Sequence, residues 1–98
     1  MPATYDLPAV QAAIAARGVA CFTRSALDGI REMGLTTTEA LAVLAALNVE
    51  HFYKTMPAIN NPGLFQDVYR APTPAGRAYI KLMHDPANAR ICISFKEL

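Results

Sequence analysis

The sequence predicts a single α+β domain over residues 1–98, in which N-terminal helices pack on one face of an antiparallel sheet in the C-terminal half. The length of 98 residues is that of one domain. Hydrophobic residues make up 53% of the chain and charged residues 17%, which favours a folded core over disorder. Apolar spacing typical of helices occurs in the first half and strand-like alternation in the second, an order typical of α+β folds.

Two helices are predicted near the N-terminus. The first follows Asp6, a good helix cap, and Gly18 supplies a left-handed stop for it. The apolar stretch from Val19 to Thr23 is interpreted as an edge strand or an extended linker. Ser25 then caps a second helix from Ala26 to Met33, whose apolar residues recur at helical spacing.

A third helix and a short fourth one complete the first half. Thr36 and Glu39 form a predicted capping box ahead of a helix from Ala40 to Leu47. Because this segment is apolar nearly all round, we expect it to be buried. A short helix is predicted from Val49 to Met56, and the proline and asparagine residues from Met56 to Gly63 indicate a loop.

Three strands are predicted in the second half, to form a sheet of three or more strands. They run from Leu64 to Arg70, from Arg77 to His84 and from Arg90 to Lys96. A proline-broken connection, Ala71 to Gly76, joins the first two strands. The last two are joined by Asp85 to Asn88, which we interpret as a tight hairpin loop.

Alternation along the strands predicts which side chains face away from the helices, because successive side chains point to opposite faces. Ala78, Ile80 and Leu82 are expected to face the helices in the middle strand, and Ile91, Ile93 and Phe95 in the last one. The opposite face would carry Arg77, Tyr79, Lys81 and Met83 together with Cys92, Ser94 and Lys96. Gln66 and Arg70 share a parity and would join it. The pattern thus predicts a cationic, tyrosine-bearing face on the uncovered side of the sheet.

Charge and composition exclude several classes of protein. Residues 1–48 hold three arginines against four carboxylates, and residues 49–98 hold six cations against four carboxylates, so the chain has a formal charge of +1. This excludes a highly charged nucleic-acid arm or acidic tail. No apolar run reaches the length of a membrane span and no signal-peptide pattern begins the chain, so we expect a cytoplasmic protein. Cys21 and Cys92 are expected to be buried thiols.

The residue types of this face suit metal-free phosphodiester chemistry on RNA. Lysines can neutralise phosphate oxygens as charge develops, and a lysine or tyrosine can relay protons between the 2′-hydroxyl and the leaving oxygen. No zinc-protease motif, glycine-rich phosphate loop or serine–histidine–aspartate arrangement is recognisable. From pattern alone, however, lysines and tyrosines on an open sheet face are also ordinary solubilising residues.

Four stretches, in order and covering almost the whole chain, together resemble the motility quorum-sensing regulator (MqsR) toxins of bacterial toxin–antitoxin pairs. They are Phe22-Thr23-Arg24-Ser25-Ala26-Leu27, Phe52-Tyr53-Lys54-Thr55-Met56, Phe65-Gln66-Asp67-Val68-Tyr69-Arg70, and Gly76-Arg77-Ala78-Tyr79-Ile80-Lys81 followed by Ile93-Ser94-Phe95-Lys96-Glu97. The resemblance implies a RelE-like fold and an endoribonuclease, an mRNA interferase that cuts at GC-containing sites such as GCU and inhibits translation and growth. It also implies a cognate antitoxin with a zinc-binding N-terminal domain, and no cofactor.

The family's functional residues fall on four positions here. By resemblance, Lys54, Gln66, Tyr79 and Lys96 form the catalytic set. Lys54 is predicted to lie beside the loop, so it either anchors RNA or takes part in cleavage. Tyr79 either stacks on a base or serves as an acid, and Gln66 either lies in the site or bonds a backbone edge.

Further residues are candidates for binding RNA. Arg70, Arg77 and Lys81 are interpreted as phosphate contacts, with a solvated surface charge as the alternative for each. Tyr53 is either a core wedge or a stacking platform. At the level of the whole protein, the alternative to an endoribonuclease is a non-catalytic module of the same fold that binds RNA or an antitoxin.

Overall fold

A computed structural model describes residues 2–59 and 61–98. Met1 and Asn60, the latter within the predicted loop, lie outside these described residues. Three helices precede four strands: α1 (Leu7–Arg17), α2 (Arg24–Glu32), α3 (Thr37–Ala45), β1 (Phe52–Pro57), β2 (Phe65–Thr73), β3 (Gly76–Leu82) and β4 (Cys92–Glu97). The predicted α+β class is therefore confirmed. None of the helices in the described ranges is long and apolar enough to cross a membrane.

The caps of the first two helices set where each begins. The Asp6 carboxylate accepts a hydrogen bond from the Ala9 amide, and α1 ends at Gly18 with a φ of 60°, as predicted. The cap of α2 differs from the prediction. The hydroxyl of Thr23, not that of Ser25, accepts from the Ala26 amide at 3.1 Å, so α2 begins two residues earlier than expected.

Helix α3 is buried on one side only. The predicted capping box between Thr36 and Glu39 is present in both directions, at 3.0 and 2.9 Å. The expected burial of this apolar helix is found on one side only, because the helix forms part of an outer layer whose far side meets solvent. Ala40, Val43 and Leu44 pack in the core, whereas alanines on the other side are exposed.

The predicted helix from Val49 to Met56 is also wrong, and this correction moves a site residue. A short 3-10 helix, Val49–His51, leads directly into β1, which pairs antiparallel with β2. Aromatic and β-branched residues from Phe52 to Thr55 favour a strand, and pairing with β2 supplies the partner that a local pattern does not reveal. Lys54 therefore lies within the sheet and not beside the loop.

The sheet has the order β1-β2-β3-β4, and every neighbouring pair is antiparallel. Strand β2 continues through Pro72 to Thr73, so the predicted proline-broken connection is reduced to a two-residue turn before Gly76. Pro72 is tolerated because β1 pairs with β2 only as far as Tyr69, which leaves the edge beside Pro72 unpaired. The connection from β3 to β4 spans nine residues, 83–91, and is not the predicted tight hairpin loop.

One edge of the sheet is extended by the segment before α2. The predicted strand or linker from Val19 to Thr23 is a 3-10 helix, Gly18–Cys21, followed by a single parallel bridge between Phe22 and Cys92. The Thr23 amide donates to the Cys92 carbonyl at 3.1 Å, and the Ile91 amide donates to the Cys21 carbonyl at 2.8 Å. This short pairing covers part of the outer edge of β4.

A bulge in β4 decides which face its residues occupy. Lys81 pairs with Ser94 and Leu82 with Cys92, so Ile93 is an extra residue on β4. The predicted faces of these two residues are therefore wrong: Cys92 packs in the core beneath the helices, and Ile93 lines a cavity on the other side of the sheet. Both Cys92 and Cys21 are buried free thiols, as expected.

Asp67 ties the N-terminal segment to the sheet. Its carboxylate is 1% exposed and accepts hydrogen bonds from the backbone amides of Thr4 and Tyr5, both at 2.9 Å. The Tyr5 hydroxyl donates to the carbonyl of Phe65 at 2.7 Å. Hydrogen bonds to a buried charge are strong, so this residue of the Gln-Asp-Val-Tyr-Arg stretch has a structural role.

Candidate functional site

The side of the sheet away from the helices, here called the open face, collects the predicted site residues. The core side carries Tyr69 and Ala71 of β2, Ala78, Ile80 and Leu82 of β3, and Phe95 of β4, all packed against helix residues. Strand alternation and the pairing register place these side chains on the open face: Lys54, Met56, Gln66, Val68, Arg70, Pro72, Arg77, Tyr79, Lys81, Ser94 and Lys96.

One row of the open face crosses all four strands. Lys54 pairs with Val68, Val68 with Lys81, and Lys81 with Ser94. Because neighbouring strands are about 4.8 Å apart, the backbones at Lys54 and Lys81 are separated by about 10 Å. Val68 is fully buried between them although it faces away from the core, so the two ammonium groups flank an apolar floor.

A second row lies beside the first and contains the predicted tyrosine. Arg70 pairs with Tyr79, and Tyr79 pairs with Lys96. The Nζ atoms of Lys96 and Lys81 are 5.6 and 6.0 Å from the centroid of the Tyr79 ring. A shallow cleft of about 290 Å³ is lined by Tyr79, Lys81 and Lys96, together with Glu97 and Leu98 at the chain end. The Tyr79 side chain thus lies between two cations at a surface open to solvent.

A bulge in β1 adds a second tyrosine to this surface. The register shifts between Phe52 and Lys54, which leaves Tyr53 as the extra residue. The guanidinium carbon of Arg70 lies 3.9 Å from the centroid of the Tyr53 ring, and the Lys54 Nζ lies 5.4 Å from it. Tyr53 is 46% exposed, which excludes the core-wedge interpretation. An exposed aromatic ring beside a guanidinium is the kind of surface on which bases stack.

The strand positions of the open face carry charge of one sign, although Glu97 reaches the rim of the cleft from the neighbouring position. All three lysines of the chain lie there, accompanied by Arg70 and Arg77, and no strand position of this face holds a carboxylate. The one ion pair found among the described residues is not on the open face: it joins the exposed side chains of Arg31 and Asp28 on α2. The nearly neutral chain therefore segregates positive charge on one surface, which attracts polyanions.

The other two tyrosines, Tyr69 and Tyr5, have structural roles. Tyr69 faces the core, where its ring meets Phe52 edge-on at 5.6 Å. Burial raises the pKa of Tyr69 to about 12, which keeps its hydroxyl protonated. Burial also raises the pKa of Tyr5, whose hydroxyl holds the β2 backbone. Only Tyr53 and Tyr79 among the four tyrosines are therefore placed to meet a ligand on the open face.

The structure brings all eight predicted site residues to the open face. Gln66 pairs with Met56 at the end nearest the β1–β2 loop, and Arg77 pairs with Pro72 at the opposite end. Lys54, whose position beside the loop was predicted wrongly, shares a row with Lys81. Their chemical roles remain predictions, but their convergence from four strands is a property of the fold.

A cavity of about 410 Å³ adjoins the Gln66 end of the open face, and sequence reasoning missed it. Ser25, Asn61 and Asn88 line it together with Gln66, Lys81 and Ser94. The first three come from the start of α2, the β1–β2 loop and the β3–β4 connection. No local pattern relates three segments that meet only in the folded chain, so the sequence held no signal for this cavity.

The arrangement supplies hydrogen-bond donors, positive charge and aromatic rings. Lysine ammonium groups can stabilise the charge that develops on phosphate oxygens, and the Tyr79 hydroxyl can give or take a proton. Within residues 2–59 and 61–98, no three histidine, cysteine, aspartate or glutamate side chains gather in a way that could hold a metal ion.

Two comparisons with known proteins agree. The model of the family described as "Motility quorum-sensing regulator, toxin of MqsA" matches residues 2–97, a range that includes every strand of the open face. The chain is also similar to the mRNA interferase toxin MqsR of Escherichia coli (strain K12). The two sequences are 36% identical over 77 residues, which cover 76% of this chain and 74% of that protein.

Proposed function

Since the chain belongs to the family described as the motility quorum-sensing regulator, toxin of MqsA, we propose that it is a toxin whose open face binds and cleaves mRNA. Membership of the family confirms the resemblance found in the sequence. The curated relative is named an mRNA interferase, and the same activity is proposed for this chain. Cleavage of messages would inhibit translation and growth, and the cytoplasm is the compartment in which we expect it.

The convergence of the predicted residues on one face carries this proposal. Lys54 and Lys81 share one cross-strand row, and Tyr79 and Lys96 share the next. A single-stranded RNA laid along these rows would meet cations at its phosphates and aromatic rings at its bases. This combination is typical of surfaces that bind single-stranded nucleic acid.

We propose cleavage by attack of the RNA's own 2′-hydroxyl, without a metal ion. The 2′-oxygen forms a bond to phosphorus while the bond to the 5′-oxygen breaks, which leaves a 2′,3′-cyclic phosphate and a free 5′-hydroxyl. A base on the open face takes the 2′-hydroxyl proton, and an acid gives a proton to the departing 5′-oxygen. Lys81 and Lys96, on either side of Tyr79, would stabilise the additional negative charge on the phosphate oxygens.

Primer extension on a defined mRNA in the presence of a chelator tests this proposal. The parent protein is expected to produce discrete cuts, enriched at GC-containing sites, and Lys96→Ala is expected to lose them. Arg31→Ala removes one positive charge from an exposed position on α2 and is expected to cut like the parent. Cleavage that stops with chelator would refute the metal-independent mechanism. If a folded parent binds the RNA without cutting it, with or without ribosomes, the chain is a binding module.

Two substitutions separate the possible roles of Tyr79. Tyr79→Phe keeps the ring and removes the hydroxyl, whereas Tyr79→Ala removes both. If the hydroxyl transfers a proton, both variants lose cleavage by about 100-fold or more while RNA affinity changes little in Tyr79→Phe. If the ring stacks on a base, Tyr79→Phe cuts like the parent and Tyr79→Ala binds RNA more weakly.

The proposed partner is a cognate antitoxin with a zinc-binding N-terminal domain. The family description names the toxin by its partner, MqsA, which supports a protein antitoxin. Co-expression of this chain with its antitoxin, sought among small genes next to its own, is expected to yield a complex that contains about one zinc ion per antitoxin N-terminal domain. A complex free of zinc would contradict this part of the proposal, and the absence of any growth effect without the partner would contradict the toxin itself.

A further inference from the structure

The cavity beside Gln66 lies between the open face and three connecting segments. Gln66, Lys81 and Ser94 lie on its sheet side. Ser25 at the start of α2 and Asn61 in the β1–β2 loop line other parts of its wall. Its volume of about 410 Å³ falls in the range of about 300–1,000 Å³ typical of small-molecule sites.

Apart from Lys81, the lining is uncharged and rich in hydrogen-bonding groups. Ser25, Ser94 and Asn61 supply hydroxyl and amide groups, and within the described residues their side chains make no hydrogen bond to other protein atoms. The side-chain amide of Gln66 is free in the same way, and Lys81 is the only lining cation in the described part of the chain. A phosphate would bind more strongly to the cationic rows of the open face, whereas free hydroxyls and amides can hydrogen-bond the edge of a nucleobase.

Apolar residues complete the cavity on its inner side. Met83 is 2% exposed and Ala58 is 7% exposed, and both line the cavity without belonging to the core beneath the sheet. Ile93, the bulged residue of β4, lines it as well. A flat ring entering the cavity would therefore contact apolar atoms with its faces and polar groups with its edge. Single-stranded RNA is read in this way, by unstacked bases held in such pockets.

We propose that this cavity binds one unstacked base of the RNA and thereby selects the sequence that is cut. The inference rests on the proposed RNA-binding function of the open face. Lys81 belongs both to the cavity wall and to the row that includes Lys54, so a phosphate at Lys81 brings its own nucleotide to the mouth of the cavity. Ser25, Ser94 and Asn61 read the edge of the base, and Gln66 connects this reading to the site of cleavage.

A filling substitution with a matched control isolates the cavity. Ser25 is exposed at the second position of α2, so Ser25→Phe extends a ring into the cavity without disturbing the core. Thr38 is exposed at the second position of α3 and lines none of the cavities of the open face. Thr38→Phe is therefore the same kind of change in the same helical context. Asn61→Phe fills the cavity from a different segment, should Ser25→Phe fail to fold.

The experiment measures binding separately from cleavage. Short RNAs with 2′-fluoro riboses lack the attacking hydroxyl, and each position in turn carries one of the four bases or an abasic residue. The parent and Thr38→Phe are expected to prefer one base at one position and to bind the abasic version about tenfold more weakly. Ser25→Phe and Asn61→Phe are expected to bind the RNA with the preferred base and the abasic RNA equally.

The possible results discriminate between the two proposals. A parent without any base preference, or a folded Ser25→Phe variant that keeps the preference, would overturn the assignment of the cavity. Cleavage is then measured on the same RNA sequences made with ordinary riboses. A base preference without cleavage supports the cavity and refutes the nuclease, whereas cleavage without a base preference refutes the cavity alone.

Discussion

Replacing Lys81 with alanine is expected to make RNA binding less sensitive to salt. Lys81 is central to the open face, where it shares a row with Lys54 and lies beside Tyr79. Each phosphate that the protein neutralises releases counterions from the RNA. The logarithm of the association constant then falls by about 0.7 per phosphate for each tenfold increase in salt for single strands.

The arrangement of charges gives the expected magnitude. Five cations lie on the open face without a carboxylate at any of its strand positions. If each meets one phosphate, the slope of log K against log salt is about −3.5, and affinity falls about 100-fold between 50 and 200 mM salt. Lys81→Ala is expected to reduce the slope to about −2.8. The net charge of +1 taken alone predicts a shallow dependence instead.

The assay is fluorescence anisotropy with a labelled 2′-fluoro RNA at four or more salt concentrations. Arg31→Ala is the control, because it changes the net charge by the same amount at an exposed position on α2, where Arg31 lies 3.9 Å from Asp28. Its slope is expected to equal that of the parent. A parent slope shallower than about −1, or equal slopes for Arg31→Ala and Lys81→Ala, would show that position on the open face does not govern RNA binding.

Four further predictions concern the scaffold of the site. Asp67→Asn is expected to lower the free energy of unfolding by about 2–3 kcal/mol in a urea titration, because it weakens two hydrogen bonds to a buried carboxylate; no change would contradict its structural role. Gly29→Ala is expected to lower the melting temperature, since its Cβ would lie 1.7 Å from the Phe95 carbonyl oxygen; a higher melting temperature would show that helix propensity decides instead. Burial raises the pKa of the Cys21 thiol to about 11 and that of Cys92 well above its usual value, so neither should react with a disulfide reagent at pH 8 until the protein is denatured. Because folding favours the neutral thiol of Cys21, its contribution to stability is full below about pH 9 and lost as the pH rises through about 11, a decline that Cys21→Ala should reduce.

Sequence patterns predicted the parts of the fold that local chemistry determines. The cap at Asp6 and the capping box at Thr36 involve contacts within four residues, and both are present. The helix predicted from Val49 to Met56 was wrong because β1 obtains its stability from pairing with β2, whose partner residues lie 8 to 17 positions further along the chain. The local sequence of such an edge strand does not reveal the strand with which it pairs.

The candidate site was predicted to a similar extent and for similar reasons. Tyr79 and Lys81 alternate regularly with core residues of a central strand, so their face followed from parity alone. The cavity beside Gln66 was not predictable, because Ser25 and Asn61 are brought together by tertiary structure. Resemblance to a family supplied residues such as Lys54 whose position the pattern had misplaced.

The two bulges show why strict alternation fails where function is concerned. In a regular β4 strand, Cys92 and Lys96 have the same parity, so either a thiol would face solvent or an ammonium group would be buried. The extra residue at Ile93 removes this conflict: Cys92 turns into the core, and Lys96 remains beside Tyr79. In β1 the extra residue is Tyr53, whose ring meets the guanidinium of Arg70. Both bulges lie on edge strands, where an unpaired residue costs least, and both give the open face a side chain that a regular sheet would have placed elsewhere.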